Sequence, residues 1–480
     1  MRPKITDLNI NLNQKRMKTL KFFSCALAIV ALLASCKEKE NGTDTIPEAT
    51  FEIELDLVDN QLFMYVSPSS SDAVYTAGII MEDDYAAMGG SDNLVSYIED
   101  LVNSEGGLLS GNWSEEFSDL FWQTKYYAYA AQINEGAVMG TPMVRDIMVY
   151  RPFVEFSPRG AIIAPQAISD NGLWVVGCSV EESFIYDVRR DSITLVPNLQ
   201  FYDVTDDGVV FGCGNPYPVI YENGSAKDIT SVPEGATESC FFSVTPDGMT
   251  AVGYSMIDGN NMRPIIYENG TLSVLPYDLD PYGDEATMAT ASRIGSNGYI
   301  TGYILDNTYM EVGCAWTPEH EYDLYTEDLM EWNDGFSFWE NIYGGLENYI
   351  SPNGKYITSW RTNTGEDGWA SDMYAYVFDT DTREIYNSPE ISYRPDAVSS
   401  QGLLFLADQT MGFSTQPYVY DIHTDTFSTL ADYAKSTWNY SPEGLTMQGS
   451  VMGTSEDGKS ILVGFAADET YKTAIYFLPR

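Results

Sequence analysis

Residues 51–57 alternate strictly, with Phe51, Ile53, Leu55 and Leu57 apolar and Glu52, Glu54 and Asp56 acidic. A period of two sets one face of a strand on a core and the other in water. Residues 62–66 and 74–80 read as further strands. The period changes between 85 and 102, where Leu94, Val95, Ile98, Leu101 and Val102 recur at helical spacing. A helical insertion between strands is expected there. The run from Leu120 to Ala130 returns to alternation and closes a first module over residues 49–150.

Beyond residue 150 the pattern repeats, and the repeat decides the fold. A small polar residue, one or two turn formers and a glycine recur between two β-runs. Examples are Ser169-Asp170-Asn171-Gly172, Thr245-Pro246-Asp247-Gly248 and Ser455-Glu456-Asp457-Gly458. Seven copies place glycines at 172, 208, 248, 298, 354, 402 and 458. An apolar run ending in an aromatic follows each turn, from Phe184-Ile185-Tyr186 to Ala474-Ile475-Tyr476. Several of these runs meet a second tight turn, such as Glu268-Asn269-Gly270. Each repeat therefore reads strand A, turn, strand B, loop, strand C, turn, strand D, which is one blade of a β-propeller. Seven copies over 151–480 imply seven blades. The last copy lacks a strand D, and the unassigned run 153–156 is expected to supply it as the outer strand. The fold class expected is all-β, a sandwich followed by a seven-bladed propeller.

Strand order fixes where loops lie. A–B and C–D turns share one end of the ring, and B–C and D–A connections share the other. The second end carries every long loop, and length beyond what a scaffold needs points to function. Those loops hold Tyr282, Trp332, Trp339, Trp369, Trp438 and Tyr440, with Trp360 at the strand end entering the same face. Aromatic rings stack on the apolar faces of sugars while nearby carboxylates and amides bond hydroxyls. A glycan ligand comes first on this reading and a protein partner second, since Tyr and Trp are also enriched at protein interfaces.

The termini and the charge refine the picture. Lys15, Arg16, Lys18 and Lys21 precede an apolar stretch over 22–33, too short to span a bilayer as a stable helix. Met17 is the expected start. Leu33-Ala34-Ser35-Cys36 resembles the lipobox of bacterial lipoproteins, which implies acylation of Cys36 and removal of residues 1–36. Residues 37–48 read as a flexible tether. Its acidic start resembles the surface-export signal of some Gram-negative lipoproteins, implying outer-membrane anchorage with exposure at the cell surface. Residues 1–36 carry six Lys/Arg and one Asp, so the formal charge moves from -45 to about -50 on their loss. Such a surface repels nucleic acid.

Within 49–150, Leu120, Thr124 and Tyr126 before an alternating run resemble the late strand of fibronectin type III domains. Tyr126 stands at the tyrosine-corner position, and Trp122 replaces the usual Pro. The resemblance implies an Ig-like sandwich acting as a spacer. Ala167–Gly172 with Val175-Val176-Gly177 looks like HAF-type repeats, and Ser351-Pro352-Asn353-Gly354-Lys355 looks like TolB-type propeller repeats. Both identify a blade and no chemistry. Sialidase Asp-boxes space Asp and Gly differently, so that activity is not carried over.

Other chemistry is sparse. Only His320 and His423 are present, which argues against a His-rich zinc site. Asp278, Asp280, Asp284 and Glu285 are a weak calcium candidate, and solvated acids are the first expectation. Of Cys178, Cys213, Cys240 and Cys314, free buried thiols are the default, with Cys178–Cys213 or Cys213–Cys240 as the conceivable bridges. No P-loop, dinucleotide fingerprint or nucleophile elbow is found. The alternative to a binding protein is a polysaccharide-degrading enzyme with paired acids in the propeller mouth, or a structural envelope component.

Overall fold

A computed structural model describes residues 47–157, 163–179, 181–259, 261–277, 288–305, 311–323, 349–364, 370–389, 393–408, 416–438, 449–467 and 470–478. Ala49–Arg480 form one unit.

The chain from Ala49 begins with two antiparallel sheets. Phe51–Val58 pairs with Gln61–Pro68, which pairs with Trp113–Phe117. The second sheet runs Leu109–Ser110, Val74–Met81, Thr124–Asn134, Ala137–Val149. The alternation read from residue 51 does its work here, because Ile53, Leu62, Met64 and Val66 of one sheet share a core with Tyr75, Ala128, Ala130 and Val149 of the other. The helical insertion is Leu94–Glu105, and its buried stripe is Leu94, Ile98 and Val102, four residues apart along one face. Gly106 ends it at φ 80°, a conformation that residues with a Cβ rarely adopt. The Phe121 N–H donates to the Tyr126 hydroxyl at 2.9 Å, tying the long strand to the loop before it.

Seven four-stranded antiparallel sheets follow among the described residues. In each, the first strand pairs only with the second, in the order A-B-C-D. First strands of successive sheets touch in sequence, and that of the last, Ser450–Thr454, touches that of the first, Ala164–Ile168. The chain is a β-propeller of about seven blades. Phe153–Phe156 pairs antiparallel with Thr470–Phe477 and is the outer strand of the last sheet, so the two ends of the ring are stitched together as the repeat count required.

The aromatics that close the third strands are core residues in six of the seven sheets, and Tyr221 is half-buried in the other. Tyr186, Trp316, Phe378 and Tyr476 are at most 2 % exposed. A four-stranded blade cannot cover both its faces, and these rings fill the space between blades. Neighbouring blades are also joined covalently, since Cys213 at the end of one second strand is bonded to Cys240 in the next first strand, Cα atoms 4.7 Å apart. This corrects the expectation of free thiols for that pair. The meander brings those two strand ends side by side, whereas Cys178 forms no disulfide.

The two-sheet region packs on the turn end of the ring. The Trp122 N–H donates to the Arg189 carbonyl at 3.0 Å. Arg189 pairs with Asp83 at 3.1 Å, and Arg190 lies over the Phe121 ring. Arg151, stacked over Trp122, pairs with Asp191 at 3.0 Å. Arg189, Arg190 and Asp191 form the C–D turn of the first blade. Ala49 lies at the other end of the region, where its N–H donates to Gln132 at 2.7 Å. Gln132 is eight residues along its strand from Thr124, a distance of about 26 Å.

Candidate functional site

The recurring turn motif is a self-satisfied hydrogen-bonding device. In the blade at 245, the Thr245 hydroxyl donates to Asp247 Oδ1 at 2.7 Å, which also accepts the Met249 N–H at 3.0 Å. The Thr250 N–H then donates to Thr245 Oγ1 at 3.1 Å. Ser351 with Asn353 and Ser455 with Asp457 repeat the pattern. Each glycine of the motif has φ between 67° and 87° and returns its N–H to the carbonyl three residues back. The turns also bond one another around the ring. Asp206 N–H donates to the Pro246 carbonyl, Ser296 to Pro352, and Glu456 to Asp170. The Asn171 N–H donates to Asp206 Oδ1 at 2.7 Å. The repeated polar residues are thus spent on building the ring.

The residues just before each motif face the axis. Six first strands carry a β-bulge there, as at Phe201/Asp203, Phe241/Ser243 and Ala291/Arg293. A bulge adds one residue and re-aims its neighbours. The opposed second strand carries Gly177, Gly212, Gly253 or Gly302 in four blades. A Cβ on Gly212, Gly253 or Gly302 would lie 1.9 Å from a first-strand carbonyl oxygen, which is why these strands carry glycine after Phe211, Val252 and Thr301.

The bulged ends surround an axial cavity of about 90 Å³. The position immediately before the motif is Ile168, Val204, Val244, Ile294, Ile350 or Val398 in six blades, and Thr454 in the seventh. One position earlier, two blades contribute charge, Asp203 and Arg293. Asp203 accepts from the Val204 N–H at 2.8 Å, the Ser243 hydroxyl at 2.7 Å and the Val244 N–H at 2.9 Å. Burial raises its carboxyl above the ordinary range, and the Arg293 charge and these three donors oppose that shift. Arg293 donates from Nη1 to the Phe242 carbonyl at 3.1 Å. Asp170, at the cavity edge, is pushed up to about 8, first by burial and then by the charges of Asp203, Asp206 and Glu456. Asp170 Oδ2 and Thr454 Oγ1 are buried without a hydrogen-bond partner.

Of the candidates read from the sequence, Tyr282, Trp332, Trp339, Trp369 and Tyr440 lie outside the described residues, as do the calcium candidates Asp278, Asp280, Asp284 and Glu285 and the lipidation candidate Cys36. Trp360 is within the strand Tyr356–Thr364, and Trp438 ends the helix Leu430–Trp438. The segments 278–287, 306–310, 324–348, 365–369, 409–415 and 439–448 all join strand ends opposite the turn end. Asp203, Arg293 and Thr454 were not singled out from the sequence. Aligning the seven motifs would have found them, as polar departures at two positions that are otherwise mostly apolar or small.

No helix among the described residues is long and apolar enough to cross a membrane. No protein-family model matches the sequence, and no curated protein matches it. Among solved structures, the chain is similar to an oligogalacturonate lyase in complex with manganese, at 12 % identity and TM-score 0.43, over 66 % of this chain and 88 % of that one. It is similar to the β-propeller domain of the Trilobed protease from Pyrococcus furiosus, at 11 % identity and TM-score 0.39, over 68 % and 97 %. A TolB from Acinetobacter baumannii matches at 10 % identity and TM-score 0.34, over 63 % and 75 %.

Proposed function

We propose that this chain is an exported lipoprotein, acylated on Cys36, that binds an extracellular glycan through the long-connection end of a seven-bladed propeller. Residues 49–150 act as a fibronectin type III-like spacer, and the protein stands on the outer face of an outer membrane. The observation that carries this reading is the stacking order. Ala49 enters the two-sheet region at the end remote from the ring, and that region packs on the turn end through Arg151, Arg189 and Trp122. The strand ends that the long connections join therefore lie on the side of the ring away from Ala49. A ligand-binding face on an anchored protein belongs there. The Cys213–Cys240 bond suits an oxidising compartment outside the cytoplasm.

Tyr282, Trp332, Trp339, Trp360, Trp369, Trp438 and Tyr440 supply the stacking surface in this reading. The test is a glycan-array and affinity-gel screen of residues 37–480, run beside a variant with Trp332, Trp339, Trp360, Trp369 and Trp438 changed to Ala and its folding verified by circular dichroism. Binding by the parent that the variant loses supports the reading. Product release in the screen replaces it with the enzyme, and silence across broad glycan classes ends it.

A further inference from the structure

We propose that the axial cavity at the turn end is a second binding site, for a small neutral polyol no larger than a monosaccharide. The site is separate from the long-connection face and does not depend on that reading. Four side chains from different blades, Asp170, Asp203, Arg293 and Thr454, meet at this cavity.

The first point is charge balance. Asp203 and Arg293 line the same cavity, one on each side of Ser243, which donates to Asp203 and accepts from the Ile294 N–H at 3.3 Å. An anion entering the cavity meets Asp203, and a cation meets Arg293. A neutral ligand meets neither penalty. Asp170 adds no net charge near neutral pH, because its carboxyl holds its proton up to about 8.

The second point is unused hydrogen-bonding capacity. Thr454 is 4 % exposed and its hydroxyl has no partner. It stands where the other six blades place Ile or Val, so the scaffold does not ask for a hydroxyl there. Asp170 Oδ2 is likewise unpartnered. A guanidinium carries five N–H donors, and the bonds described for Arg293, to the Phe242 and Ser292 carbonyls, all leave from Nη1. Hydroxyl groups both donate and accept, which matches a lining of carboxyl, guanidinium and alcohol. The aliphatic positions beside them, such as Val204, Ile294 and Val398, suit the C–H faces of a sugar ring.

The third point is size. About 90 Å³ is room for roughly six to nine waters at the 10–15 Å³ each requires. A polyol replaces such waters one hydroxyl at a time, keeping their hydrogen bonds and releasing their entropy.

The experiment is titration calorimetry and saturation-transfer NMR on the full chain with glycerol, glucose, galactose and mannose as probes, and with acetate and methylammonium as charged controls. Saturable binding of at least one neutral probe is expected, with neither ion competing. Arg293→Gln should weaken binding roughly tenfold or more, as loss of a charged donor does. Thr454→Val restores the residue type of the other blades, so it should fold normally and weaken binding about three- to tenfold. The five-Trp variant should bind the probe unchanged, which separates this site from the glycan face. Absence of binding by every neutral probe, preference for either ion, or full affinity in a folded Thr454→Val and Arg293→Gln pair overturns the proposal and leaves a cavity filled by water.

Discussion

At the turn end of the ring, Asn171, Asp247, Asn353 and Asp457 each accept from a hydroxyl and a backbone N–H in the same geometry, and adjacent turns bond each other. At the opposite end, the connections share neither length nor sequence, from 306–310 to 324–348. What recurs in every blade closes the ring, and what differs between blades is free to do something else. The same rule holds inside the turn end. Six blades place Ile or Val immediately before the motif, Thr454 departs from them, and Asp203 and Arg293 bring charge one residue earlier. In a repeat protein the departures from the consensus, more than the consensus, are where function should be sought.

The largest effect expected at the turn end is a pH dependence. An unfolded chain ionises Asp170 near 3.8, and the folded ring holds its proton to about 8. The folded state binds the extra proton between those values. The stability this contributes is complete below the lower value and is lost as pH rises through the window, at about 1.4 kcal/mol per pH unit. Asp203 and Asp206, both raised chiefly by burial, act in the same sense. Melting temperature measured from pH 5 to 9 should fall with pH in the parent and fall less in Asp170→Asn. Parallel curves would show that the carboxyl is already ionised.

Next is the covalent link between blades. Cys213 and Cys240 are 27 residues apart, a loop for which closure entropy gives about 3–4 kcal/mol. Cys213→Ser with Cys240→Ser should lower the unfolding free energy by about that amount in denaturant titration, and reductant should do the same to the parent only. Cys314, fully buried, should resist alkylation until the protein unfolds.

Much of this architecture was legible because hydrophobic spacing and turn chemistry are local. Gly172 to Gly458 mark the hinges, and the missing last strand pointed back to Phe153–Phe156, where the ring indeed closes. The disulfide was legible only as one of two geometries, since choosing between Cys178 and Cys240 as the partner of Cys213 needs the lateral offset between blades. The axial residues were hidden for another reason. A charge at a strand end reads as solvated until the ring's closure shows that all first strands converge. The glycines after Val176, Val252 and Thr301 have their explanation only in the bulge opposite. Gly302→Ala tests that account, because its Cβ would lie 1.9 Å from the Thr290 oxygen. Overpacking of this kind should cost about 1–3 kcal/mol, whereas Gly224→Ala, with open space around it but φ 78°, should cost only its backbone strain.

The smallest effect isolates what the repeated turn contributes. Asp247 accepts the Met249 N–H and the Thr245 hydroxyl, and those bonds, in that order, hold its carboxyl below the ordinary range. Asp247→Ala should cost about 0.5–1.5 kcal/mol, the net worth of a hydrogen bond at a site that water can reach. Asp247→Asn should recover most of this, because the side-chain oxygen is kept and because Asn171 and Asn353 already fill the same position in other blades. Neither change should alter ligand binding at either end of the ring, since the Asp247 carboxyl is directed into its own turn. If Asp247→Ala abolished binding while leaving the melting temperature intact, the division between a structural turn end and a working opposite end would have to be redrawn around the turns themselves.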